Sequence, residues 1–278
     1  MSTSPASFLG IESLPAAIVF TVAYVPLSGL FIWRAATRFN FVFVYLIIFC
    51  LIRTAAFAMR AALAGSTSAA QNTSLLIADL VLFGAGFAGL LFSLFSLESD
   101  REQVVGSNFN HPVLNLLRHR RVLHLFIGGA VALTITGSVK LSSDSASSRN
   151  TGSTLRTAGV WLIFAITVVG VLRAAALIHY DRLRSMTVKH SSVFDRHAST
   201  ILGVISLLFL VRMIYSVITI SKRQHEDSWY PLSAFTEFLC VCLFATPGLV
   251  LSRAELQEKD VELKGYYNQP HVAPPTIV

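Results

Sequence analysis

The sequence predicts an all-α fold, a polytopic membrane protein built as a bundle of seven transmembrane helices, and three observations carry that prediction. Hydrophobic residues make up 54% of the 278 positions and charged residues only 13%, whereas a soluble domain is about one quarter charged. The apolar residues fall into blocks matching the roughly 20 residues a helix needs to cross a hydrocarbon core. The Lys and Arg residues lie mostly between the blocks and concentrate in alternate loops.

Taken in order, the first span covers 14–33 and is uncharged from Leu14 to Trp33. No Lys or Arg precedes it, so residues 1–13 lack the positive segment of a cleaved signal peptide and read as a short extracytoplasmic tail. The second span, 41–64, contains Arg53 and Arg60 but resumes its apolar run after each. The third, 74–97, holds Asp79 near its start and is uncharged from Leu80 to Leu97; the fourth, 122–140, is uncharged from Val122 to Val139. A Ser-rich stretch with Gly and Asn over 141–156 reads as a flexible loop. The fifth span, 157–180, carries Arg173, the sixth, 199–220, carries Arg212, and the seventh, 232–252, carries Glu237. Residues 14–252 thus form one membrane domain, and 253–278 a cytoplasmic tail of mixed charge ending in Pro-rich residues.

Orientation follows from the loops. Those after spans one, three and five, with the tail, hold thirteen Lys and Arg against five on the other side. Cytoplasmic loops carry the excess, so the N-terminus is expected outside and the C-terminus inside. Asn72-Thr73-Ser74, in a loop assigned outside, is a glycosylation candidate at Asn72.

The same pattern narrows the function classes. The net charge of +7 sits in loops bordering apolar blocks, which suits anionic membrane lipid and not nucleic acid. Cys50, Cys240 and Cys242 all lie inside spans, and Cys240 and Cys242 point to different helix faces, so neither a disulfide framework nor a metal site is expected. No cofactor is expected. A retinal protein needs a Lys within a span, and all five Lys lie in loops, the tail or a span boundary. Only His124 and His179 of the eight histidines fall in spans, and no nucleophile accompanies them, so the chain reads as a non-enzyme.

Charged residues within spans are costly, about 2.5–3.5 kcal/mol each on insertion scales, and face a protein partner or a wet cavity. In the predicted orientation Arg60, Asp79, Arg212 and Glu237 fall in the outer half, with Arg53 just beneath. Arg212 pairs naturally with Glu237, and Arg60 or Arg53 with Asp79. Three Arg against two acids leave one positive charge, which suits an anionic ligand group in a pocket opening outward. Tyr215, three residues from Arg212 on the same helix face, is placed to complete it. Arg173, near the inner end of its span, is expected to snorkel to the interface. Gly84, Gly86, Gly89, Gly128, Gly129 and Gly137 read as close-approach positions between helices, and Pro247-Gly248 as a kink in span seven.

Several segments carry a resemblance. Tyr45-Leu46 with Arg53, Gly84–Leu91, Val211-Arg212-Met213-Ile214-Tyr215-Ser216, and Glu237-Phe238 with Pro247-Gly248 resemble the fungal seven-helix membrane proteins. That group contains the lipid-translocating exporter-like family and a related uncharacterised family. The resemblance implies a fungal membrane protein linked to lipid handling, stress response or sensing. Glu98-Ser99-Asp100-Arg101-Glu102 is similar to the acidic-Arg motif of G-protein-coupled receptors, but Thr246-Pro247-Gly248-Leu249-Val250 lacks the Asn and Tyr of their seventh helix. The expected function is binding of a small or lipidic anionic ligand in the outer half, as sensor or lipid handler. The alternatives are a transporter of such a ligand and a receptor-like protein with a cytoplasmic signalling partner.

Overall fold

The computed structural model describes Ile11, Glu255 and residues 13–105, 120–141, 145–185, 193–220 and 226–252. The readings of the N-terminal tail before Ile11, of Arg118, Lys189, Lys222 and Arg223, and of the tail at 253–278 apart from Glu255 lie outside the described residues.

The helices are α1 (Leu14–Thr37), α2 (Phe41–Gly65), α3 (Thr73–Val105), α4 (Arg120–Leu141), α5 (Ala146–Ser185), α6 (Val193–Thr219) and a shorter α7 (Phe235–Phe244). Their starts are written in capping residues. Ser13 Oγ accepts from the Ala16 N–H at 3.4 Å with Pro15 in the first turn, Asn40 Oδ1 accepts from Val42 N–H at 3.0 Å, and Asn72 Oδ1 from Ser74 N–H at 3.0 Å. Asn72, the glycosylation candidate, is thus the N-cap of α3. A single turn, Thr67–Ala70, joins α2 to α3.

Six of these helices, α1 to α6, are long and apolar enough to cross a membrane. Their outward faces are apolar as well as their inward ones: Val22, Trp33 and Leu125 are 64%, 63% and 76% exposed. A helix apolar all round requires an apolar surrounding, so this is a multi-pass membrane protein. Each helix packs on the next, α7 returns to α1, and α3 also meets α5 and α6. The inward faces form one core that includes Tyr24, Phe31, Phe49, Leu90, Phe209 and Phe244.

The stretch 141–156 departs from the expected flexible loop. From Ala146 it is the first three turns of α5, a helix of 40 residues and about 60 Å. Small residues explain this. A Cβ on Gly152 would lie 2.8 Å from the Gly137 carbonyl, and one on Gly159 2.8 Å from the Ala130 carbonyl. The α4 and α5 backbones are in direct contact, and that contact holds the Ser-rich segment helical. Gly137 is a close-approach position, as expected. Gly128 and Gly129 are not, because nothing lies within 4 Å of a Cβ built on either.

The seventh segment also departs from its expected continuous span over 232–252. It begins with Glu226–Trp229, widens into one π-helical turn at Tyr230–Ala234, and is α-helical only to Phe244. Pro247 ends the helix and does not kink it, since its ring opposes helical geometry in the residues before it. The chain then turns at Gly248, whose φ of 77° suits glycine.

Candidate functional site

Two buried polar clusters lie towards opposite ends of α3. The first is near the end of the bundle where α2 passes into α3. Arg53 lies about 18 Å and Arg60 about 28 Å along α2, while Asp79 lies about 9 Å into the antiparallel α3, so the latter two meet. Arg60 Nε donates to Asp79 Oδ2 at 3.2 Å. Glu237, on α7, is shared: Arg212 Nε on α6 donates to its Oε1 at 2.6 Å, and Arg53 Nη2 lies 2.6 Å from its Oε2. The Arg53 contact is an ion pair without hydrogen-bond alignment. Arg53 and Asp79 are 0% exposed and Glu237 2%.

Aromatic rings complete the surroundings of the guanidiniums. Phe83 links the two ion-pair groups, its ring centre 4.5 Å from Arg53 Cζ and 4.1 Å from Arg60 Cζ. Trp229 lies 3.7 Å from Arg60 Cζ, Phe87 3.7 Å from Arg212 Cζ, and Phe49 5.1 Å from Arg53 Cζ. These faces attract cations that have no acceptor for every N–H. Gly86 makes room, since a Cβ there would lie 3.3 Å from Arg53 Cζ. Among the described residues one surplus positive charge remains in low dielectric, with Arg53 Nε and Nη1 lacking any acceptor.

The structure therefore brings together Arg53, Arg60, Asp79, Arg212 and Glu237. It does not add Tyr215, whose hydroxyl is buried with no hydrogen-bond partner among the described residues; Ser216 instead approaches Arg212, at 3.5 Å. The cluster is largely enclosed: Trp229 lies against Arg60, and the most exposed member, Arg212, shows 13% of its side chain. The rings of Phe83, Phe87 and Trp229 were not legible as site residues. Phe83 and Phe87 are four apart on α3, a same-face spacing that matches the depth of the arginines.

The second cluster corrects the expectation for Arg173. It does not snorkel: it is 1% exposed, and its Nε and Nη2 donate to Glu102 Oε1 at 3.0 and 2.8 Å. Its Nη2 also reaches Ser99 Oγ at 3.4 Å, and Glu98 Oε2 lies 3.6 Å from its Nε. Nearby, Asn40 Nδ2 donates to the Leu251 carbonyl at 2.7 Å and to Asp100 Oδ2 at 3.3 Å, while Arg101 Nη2 donates to the carbonyls of Gly248 and Leu249 at 2.9 and 3.2 Å. The acidic-Arg run is thus a buried lock: Glu98, Ser99 and Glu102 tie α3 to α5, while Asp100 and Arg101 tie it to the start of α2 and the turn after α7. Its signal was the four-residue spacing of Glu98 and Glu102, which places both carboxylates on one helix face. Among the described residues no group of three His, Cys, Asp or Glu side chains is placed to hold a metal ion.

No curated protein and no solved structure matches the chain. Residues 13–247, nearly the whole helical bundle, match the family described as a domain of unknown function, DUF7702. The chain belongs to the DUF7702 family, whose matched region holds all the charged residues of both buried clusters.

Proposed function

We propose that this protein is a non-enzymatic seven-helix membrane protein that binds a small or lipidic anion at the cluster of Arg53, Arg60, Asp79, Arg212 and Glu237. In this reading the segment 226–252 completes a seventh crossing, the N-terminus lies outside, and the cluster lies in the outer half. One observation carries the reading: among the described residues three guanidiniums share two carboxylates in a buried site, and Arg53 has two N–H-bearing nitrogens without acceptors. An unbalanced buried cation is costly in low dielectric, and a carboxylate or phosphate would neutralise it and accept those hydrogens. The resemblance to lipid-translocating exporter-like proteins favours a lipidic source for that anion. Arg212, the partly exposed member, would meet the anion first.

A transport reading has its own support. Glu237 stands three residues beyond the π-helical turn, and interrupted helices beside a buried site are how many carriers hold and release their cargo. Equilibrium binding in detergent separates the claims. Wild type is expected to bind a labelled fatty acid or lysophosphatidic acid and not lysophosphatidylcholine, with Arg212→Gln weakened at least tenfold. Equal binding of the zwitterionic and anionic probes would end the anion reading. Flux of the bound probe across vesicles would add transport.

A further inference from the structure

We infer that the cluster of Glu98, Glu102 and Arg173 is a proton-binding site, with one proton held on Glu98. The geometry is unequal between the two carboxylates. Arg173 directs both Nε and Nη2 to Glu102, whereas Glu98 is 0% exposed and no donor reaches either of its oxygens among the described residues. Its nearest cation contact, Arg173 Nε at 3.6 Å, is beyond hydrogen-bond range.

Among the described residues, the charged groups facing Glu98 are Arg173, across from α5, and Glu102, one turn along α3. Ser99 donates no bond to it, and Phe95 covers Arg173 at 5.6 Å. Two carboxylates on one guanidinium carry a surplus negative charge where water is excluded. A buried carboxylate without donors neutralises instead of remaining ionised. A proton taken from bulk water onto a Glu98 oxygen converts the carboxylate to an acid, and the cluster becomes neutral as one Glu102–Arg173 pair. The same proton returns to water when α3 and α5 separate at this level. The site is thus a protonation-linked latch between these helices, and it stands whether or not the opposite cluster binds an anion.

Infrared difference spectroscopy of the full chain in lipid nanodiscs, scanned through pH, reads the proton directly. Wild type is expected to show the C=O stretch of a protonated carboxyl at neutral pH, shifted in D2O and lost at alkaline pH. Glu98→Gln should remove that band. Glu102→Gln should remove it too, because Glu98 then becomes the sole carboxylate for Arg173. Thermal unfolding supplies a second readout. The folded state holds a proton that the unfolded chain releases above about pH 4.3, so from there until Glu98 itself ionises in the fold, folding weakens as pH rises, by about tenfold in the equilibrium constant per unit for one proton. Glu98→Gln should flatten that slope. Absence of the band in wild type overturns the inference whatever the variants do. So does a band unchanged in Glu98→Gln, which would place the proton elsewhere, or equal pH slopes in the two proteins, as expected if Glu98 is ionised and bridged to Arg173 by water.

Discussion

Replacing Glu237 by Gln should destabilise the bundle far more than replacing Arg53, its fully buried partner. Glu237 places one oxygen 2.6 Å from Arg212 and the other 2.6 Å from Arg53, so losing its charge uncovers two guanidiniums. The surplus in the cluster rises from one positive charge to two. Removing one partner of a buried pair costs about 3–5 kcal/mol. Gln retains one acceptor, and Phe83 and Phe87 still face the cations, so the lower part of that range applies, about 3–4 kcal/mol. Arg53→Gln acts in the opposite direction. It forfeits ring contacts worth about 1–2 kcal/mol but leaves two Arg facing two acids, with the Arg212–Glu237 bond in place. The double variant returns the surplus to one and should recover about 1–2 kcal/mol relative to Glu237→Gln. Unfolding by denaturing detergent, followed by circular dichroism, measures all three. The charge accounting is wrong if Arg53→Gln is as damaging as Glu237→Gln, or if the double variant is no better than the latter.

Other consequences are simpler to read. Gly159→Ala should lower stability by about 1–3 kcal/mol by forcing α4 and α5 apart, while Gly128→Ala and Gly129→Ala, which meet nothing within 4 Å, should be neutral in the same melting assay. Gly248→Ala places a side chain at φ 77° and should cost about 1–2 kcal/mol, with faster proteolysis after α7 as the readout. Asn40→Ala removes the α2 N-cap and the bonds to Leu251 and Asp100, a loss of about 1–2 kcal/mol. Trp229→Ala uncovers Arg60 and should raise the modification rate of that residue by an arginine-specific reagent.

The sequence made the helices easy to place because apolar length is a strong signal and the capping residues mark their starts. It also indicated which charges would meet, since Arg60 with Asp79 and Arg212 with Glu237 sit at matching depths on consecutive helices. That Arg53 would share Glu237 was hidden: it requires α7 to lie beside α2, a contact between elements far apart in the chain. The same reason concealed Trp229 over Arg60. Helix in 146–156 was obscured because Ser, Gly and Asn oppose it locally and only the close α4 backbone reverses that preference. The burial of Glu98 and Glu102 was not legible because they lie past the apolar run of α3, a helix of about 50 Å that exceeds the hydrocarbon thickness, and their burial depends on Arg173 from α5.

Native mass spectrometry of the purified protein reads anion binding at the Arg53 cluster outright, because it counts bound anions on the intact chain. Wild type is expected to retain one anionic lipid or fatty acid from a mixture that also holds zwitterionic lipid, and Arg53→Gln, whose cluster is charge-balanced without a ligand, to retain none while remaining folded. Equal retention by the two proteins, or none by wild type in excess anionic lipid, would rule out an anion held by the surplus charge of this cluster.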